Sequence, residues 1–345
     1  MYYNRCSIPN ERSKRMFGMN KITISFVSVS VLLLIVSIQS AITGSIKVTS
    51  FELIQGLFTG TNDQVEIIKD LRFPRIIVAL FAGAALSVSG VLLQAVMRNP
   101  LADPGIIGVS AGGGFMSILI VSLFPTLFFY TPLFAFLGGL LAFFLVYSLS
   151  WRSGLDPLRM ILIGIAINAV FTGLSQSLGF RGSSLAITMS QTMTSTLAMK
   201  KWNEVEIMVS YGSIGLVLAL LVYTWCNYLA LEDKTAQNLG VNVKLLRVVI
   251  SLIAVLLASV ATSIAGLFAF VGLLVPHIGR RLVGSDHKVL IPFSALAGAL
   301  LILTADTLGR TIIAPHEIPA SVIMAVIGGP FLILLLRKRD RIYGH

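Results

Sequence analysis

Charge is what this sequence has least of. Only 12% of its 345 residues are charged, 15 acidic side chains against 26 Lys and Arg, where a water-soluble domain carries about 25%. With 56% hydrophobic residues and a mean hydropathy of +0.89, the chain cannot cover itself in water, which excludes a soluble globular body. Cysteine is almost missing. Cys6 and Cys226 are the only two, and both map to the inner side below, so a disulfide framework is excluded. Cys6 has no apolar run before it, which excludes a lipoprotein anchor. No G-x-x-x-x-G-K-[ST] occurs, so the chain lacks that device for cradling nucleotide phosphates. The glycines of Gly108 to Gly114 follow no strand and are not a dinucleotide fingerprint. His277, His287, His316 and His345 show no ligand spacing and no cysteine company, so no metal site is expected. No H-E-x-x-H, no paired aspartates at membrane depth and no G-x-S-x-G nucleophile elbow are expected, which argues against an intramembrane enzyme.

Carboxylates inside the apolar runs are as scarce, Asp306 being the one candidate. Carriers driven by protons or sodium place several ionisable groups at mid-membrane depth. Their scarcity argues for an energy source outside the chain.

What is present is a series of apolar runs long enough to cross a bilayer. A helix rises about 1.5 Å per residue through a core of about 30 Å, so about 18 or more apolar residues make a span. Ten are expected, at 22–43, 74–97, 105–124, 131–150, 157–178, 205–228, 246–265, 266–283, 289–309 and 319–336. The 246–283 stretch either turns near Ser263 to Gly266 or forms one long helix. About 20 polar residues precede the first run, and its apolar length exceeds the usual 7–15 residues. It therefore reads as a retained span, not a cleaved signal peptide. The expected fold class is an all-α membrane protein. It comprises a basic cytoplasmic tail at 1–21, a membrane domain at 22–336 and a basic cytoplasmic tail at 337–345.

Orientation follows from Lys and Arg in the loops. Placing the N-terminus inside assigns 18 of the 26 basic residues to the inner side, and an even span count returns the C-terminus there. The net charge of +11 is thus a topology signal, and no nucleic acid partner is implied. Trp151, Trp202 and Trp225 fall at span ends, where amphipathic rings prefer the interface.

Four polar islands interrupt the apolar background. Leu71-Arg72-Phe73-Pro74-Arg75 leads from outside into the second span, with Pro74 at a helix start where its missing N–H costs nothing. Arg72 and Arg75 either anchor that end by snorkelling or bind a partner. Gln94 to Gly114 holds Pro100, Pro104, Gly105, Gly108 and Gly112, a tight inner turn whose glycines allow close helix packing; Asp103 suits an N-cap. The inner loop 229–245 suggests a short amphipathic helix in which Glu232 and its polar neighbours surround Ala236 and Leu239, stopped at Gly240. It lacks the basic face of a membrane-surface helix, so docking into another protein is favoured. Lastly, Gly272 to Arg281 is followed by Asp306 and Arg310, spaced for a local ion pair, and by His316-Glu317-Ile318-Pro319.

These islands, LRFPR (71–75), QAVMRNPLADPGIIGVSAG (94–112), LEDKTAQNLGVN (231–242), GLLVPHIGRRLVG (272–284) and ADTLGR with HEIPA (305–320), resemble the permease subunits of iron-siderophore, haem and cobalamin ABC importers, the FecCD or vitamin B12 permease type. The resemblance runs in order from about residue 25 to residue 336. It implies a ten-helix subunit of the type II importer bundle, in the cytoplasmic membrane with both termini inside. It implies a homo- or heterodimer with a second permease subunit. Arg72, Arg75 and Arg310 fall at the family's docking positions for an extracytoplasmic substrate-binding lipoprotein. The loop helix, with Glu232, Ala236, Leu239 and Gly240, falls where the family couples to a cytoplasmic ATPase dimer. ATP would be used by that partner, and no cofactor or metal is expected on this chain. The expected cargo is an iron(III)-siderophore, with haem second and cobalamin third. The histidines map to loops, which argues against haem. A stand-alone secondary transporter is the alternative from another class. Asp103 stands where family members often have Glu, and 180–204, rich in Ser, Thr and Met, has no match and is a place for cargo-specific contacts.

Overall fold

The computed structural model describes residues 11–43, 63–151, 157–179 and 197–343, and every regular element among them is helical. In chain order these are α1 (Glu11–Ile42), α2 (Asp63–Leu71), α3 (Phe73–Met97), α4 (Val109–Leu123), α5 (Thr131–Trp151), α6 (Pro157–Gly179), α7 (Trp202–Leu221), α8 (Tyr223–Leu229), α9 (Asp233–Asn238), α10 (Val243–Ala265), α11 (Val271–Val283), α12 (His287–Thr311) and α13 (Ala320–Tyr343). A 3-10 turn, Pro125–Tyr130, joins α4 to α5. Residues 1–10 of the expected N-terminal tail, 180–196 of the Ser/Thr/Met-rich segment, and 344–345 lie outside the described residues.

Each expected span falls on a helix, and the stretch 246–283 is two helices as the ten-span count has it, because Gly266 at φ 87° and Phe270 at φ 67° are positive-φ positions that no α-helix passes through. Three departures occur. The span expected at 105–124 starts later, at Val109, after Gly108 at φ 86°. The run 205–228 is divided at Val222, whose ψ of 9° interrupts the ladder between α7 and α8. Both termini also stay helical beyond the spans, to Glu11 and to Tyr343. Seven described helices are long and apolar enough to cross a membrane, while α4 and Ala320–Leu335 are apolar but shorter. At 13 residues, α11 is only about 20 Å long. That is shorter than a hydrocarbon core of about 30 Å.

α3 is the hub. It packs against α7, α10, α11 and α12, while α1 lies on the outside of the bundle against α12. In lipid, helices gain no hydrophobic energy from meeting each other, so close packing and interhelical hydrogen bonds must hold them. Two kinds of contact provide this. A side chain on Gly83 or Gly298 would run into the other's backbone where α3 crosses α12, and Gly112 and Gly138 are in the same relation between α4 and α5. Beside the first crossing, Ser87 Oγ donates to Ser294 O at 2.6 Å, and Ser89 Oγ donates to Ala254 O at 2.7 Å. Gly298→Val is expected to pry α3 from α12, at about 1–3 kcal/mol for an overpacked core. The readout is a lowered thermal midpoint of the purified chain in detergent; an unchanged midpoint would show that the crossing can relax.

The turn 98–108 is folded into the bundle. Gln94 Nε2 donates to Ala102 O at 3.2 Å and to Gly272 O at 3.0 Å. Asp103, 1% exposed, accepts from Gly105 N at 2.8 Å and Ile106 N at 3.2 Å, and also from the backbone of Gly272 and Leu273. The expected helix cap is therefore shared. One carboxylate fastens the turn before α4 and also closes the N-terminus of α11, where a negative charge is favoured.

Candidate functional site

At the end of the bundle expected to face outside, the three arginines of the first and fourth islands come together, although 235 positions separate Arg75 from Arg310. Arg72 Nη1 donates to Ala41 O at 2.7 Å and Ile42 O at 2.9 Å. Arg310 donates to Thr43 O and Ser40 O, each at 3.1 Å. Both guanidiniums thus serve the last turn of α1, whose carbonyls have no partner within the helix. Arg75 grips Asp306 with two nitrogens, Nε at 2.9 Å and Nη2 at 2.8 Å, and reaches Glu317 Oε2 at 2.8 Å with its third. Asp306, 2% exposed, also pairs with Arg310 at 3.4 Å, the local pair expected from spacing. Arg75 is the partner that spacing could not show. Glu317, with its side chain 45% exposed, is the part of this network most open to solvent.

Between the ends lies a cavity of about 880 Å³, walled by α4, α6, α11 and the non-helical residues Leu267 to Phe270. Its volume falls within the roughly 300–1,000 Å³ of small-molecule and cofactor sites. Irregular backbone at membrane depth is tolerated where it is buried in protein or lines a cavity, and 267–270 does the latter. The wall is mostly apolar. Its polar groups are Ser110 and a row on α6 formed by Asn168, Thr172 and Gln176. Asn168 Nδ2 donates to Gly105 O at 2.7 Å, and Thr172 Oγ1 donates to Asn168 Oδ1 at 3.1 Å, so the row is tied to the infolded turn. Sequence reading passed over this row. Its signal was available, since polar residues at i, i+4 and i+8 inside an apolar run share one helix face.

Gly108 to Gly112 spells G-x-S-x-G, the nucleophile-elbow pattern expected above to be absent. The elbow needs a strand before the serine and a base beside it. Here a turn precedes the helix, and Ser110 Oγ has no hydrogen-bond partner among the described residues. Gly108 and Gly105 instead let the turn lie close to α6 and to Phe268. The histidines are not all in loops. His277 is within α11, its ring edge-on to Phe331 at 5.7 Å, and His287 begins α12 with Nδ1 2.7 Å from Asn227 Oδ1. Neither lines the cavity.

At the opposite end, the expected loop helix is α9, entered from Glu232. Ala236 is fully buried, while Glu232, Leu239 and Gly240 are exposed; Gly240 has φ 78° and open space around its Cα, the left-handed stop that glycine favours. Asp233 is held at 2.7 Å by Arg98 and at 3.0 Å by Arg247. Arg98 also donates to Leu229 O at 2.8 Å and to Leu231 O. α9 is therefore fixed to both α3 and α10.

A helical bundle with a walled cavity and a braced helix at one end fits a transport permease. The model of the FecCD transport family matches residues 32–338, and the chain belongs to that family of ABC importer permeases. It is 41% identical over 324 residues, 93% of this chain and 98% of the relative, to the "Probable heme-iron transport system permease protein IsdF" of Staphylococcus aureus strain MSSA476; the protein of that description from strain Newman matches equally. Among solved structures, it is similar to a chain described as a metal-chelate type ABC transporter in an inward-facing conformation. That match has TM-score 0.75 and 27% identity, covering 92% of this chain and 99% of the other. The fold is also shared with PsaBC from Streptococcus pneumoniae, at TM-score 0.57 and 17% identity, covering 83% and 95%.

Proposed function

We propose that this chain is one permease subunit of a haem importer, moving haem through the α4–α6–α11 cavity on energy from a separate ATPase. The cavity carries the reading. An apolar wall with a few polar groups suits a flat, largely apolar macrocycle better than a siderophore, whose surface is polar. The 41% identical relatives described as heme-iron permeases point the same way, reversing the order of cargoes expected from sequence. The lack of His or Tyr in the described wall does not count against haem. A pathway must bind weakly enough to release, and an iron ligand would hold the cargo back.

A second permease subunit, an ATPase dimer on α9 and a substrate-binding lipoprotein at the Arg72–Arg75–Arg310 corner complete the proposal, with both termini in the cytoplasm. The basic inner side supports that orientation. At the outer corner the arginines are engaged within the chain. An acidic partner would therefore dock by competing with Glu317 for Arg75, a weak contact of about 0–1 kcal/mol. Such a contact orients the partner and lets it leave.

The test is uptake by vesicles holding this chain with its co-purifying subunits. Haem accumulation that requires ATP, with little ferric siderophore accumulation, is expected. Siderophore uptake alone would overturn the cargo, and ATP-independent uptake would favour a stand-alone transporter.

A further inference from the structure

A second cavity, of about 540 Å³, lies away from the first, between α5 and α10. Its polar end is formed by Tyr147, Lys244 and Arg247; from there it continues between Leu140, Phe143 and Phe144 of α5 and Val248 and Leu252 of α10. From Tyr147 to Leu140, and from Lys244 to Leu252, the groove runs about 10–12 Å along the helices. Its walls are open to the side, since Phe144 is 65% exposed and Val248 is 57% exposed. The basic end belongs to the first two turns of α10, on the side that the Lys and Arg distribution assigns to the cytoplasm.

Basic charge at that end outweighs its acidic partners among the described residues: Arg98 and Arg247 share Asp233, and Tyr147 also bonds Arg247. Arg247 binds Asp233 through Nη2, but its Nε is buried with no hydrogen-bond partner among the described residues. Lys244 is exposed beside it. A buried donor without a partner carries a free-energy cost. The groove above it is apolar apart from Ser251.

We propose that this groove binds one anionic phospholipid of the cytoplasmic leaflet, its phosphate against Lys244 and Arg247 and the start of an acyl chain along Phe144 and Val248. Charge complementarity selects the headgroup, and basic pockets between membrane helices on this side suit such lipids. The apolar walls distinguish a lipid from a free phosphate. Because Arg247 also holds Asp233, the lipid and the inner helix α9 would share one guanidinium.

The test is native mass spectrometry of the full chain released from membranes, with phosphatidylglycerol and phosphatidylcholine added at equal concentration. One phosphatidylglycerol is expected to be retained about tenfold or more over phosphatidylcholine. Lys244→Gln is expected to lower that preference, and Val248→Trp, which fills the groove from a lipid-exposed position, to remove the bound lipid while the charges remain. Equal retention of the two lipids would overturn the proposal. So would unchanged phosphatidylglycerol binding in both variants, or displacement by glycerol 3-phosphate as effective as displacement by the lipid.

Discussion

Asp306→Ala is expected to destabilise the bundle by about 3–5 kcal/mol, the cost of breaking a buried ion pair and leaving its partner uncompensated. The reason is its position between two cations. Arg75 binds it through two nitrogens, and Arg310 approaches the other side at 3.4 Å, with its own side chain 6% exposed. Removing the carboxylate leaves two guanidiniums facing each other in a site that water barely reaches. Asp306→Asn keeps the shape and loses the charge, so it is expected to suffer less through packing but to retain the repulsion. The measurement is the thermal midpoint in detergent, read beside the amount of chain inserted in membranes. A midpoint shared by Asp306→Ala and the parent would mean that lipid headgroups or water replace the carboxylate. The same network bears on arginine reversals. Arg72→Glu and Arg310→Glu would place carboxylates against the carbonyls that end α1, so any loss of uptake would mix failed docking with a loosened helix.

Asp233→Ala is expected to lower ATP-driven uptake about tenfold while the partner ATPase still turns over. Asp233 is the knot between Arg98 at the end of α3 and Arg247 on α10. Its side chain is 42% exposed, so neither pair reaches the value of a buried bridge. Together the two are worth about 1–2 kcal/mol, and 1.4 kcal/mol is a factor of ten in the ratio of held to released poses. Where the poses are no better than balanced with both pairs in place, that ratio carries over to the share of strokes transmitted. Uptake and hydrolysis measured together in the same vesicles separate the cases. Equal falls in both would indicate lost assembly, and unchanged uptake would remove α9 from the coupling path. Deleting 232–239 removes the exposed face altogether and is expected to abolish uptake.

Sequence by itself determined the solvent and the layout of this protein. Hydropathy summed over about 20 residues is a local quantity, and lipid forces backbone groups to pair within the helix, so the helices could be located from the order of residues alone. Gly266 could be marked as a break for the same reason, since a left-handed position is a property of one residue and its neighbours. The local Asp306–Arg310 pair and the short inner helix stopped by Gly240 were equally legible. Tertiary structure alone decided which partners the polar residues take. Nothing in the spacing ties Arg75 to a carboxylate 231 positions away, sends Arg72 and Arg310 to the same helix end, or carries Asp103 to the N-terminus of α11. A buried charge takes whichever complementary group packing brings within about 3 Å, and that depends on how helices distant in sequence cross. The cavity has the same origin, because α6 shows its polar row to any reader, but only the infolded turn and the break before α11 make that row a wall.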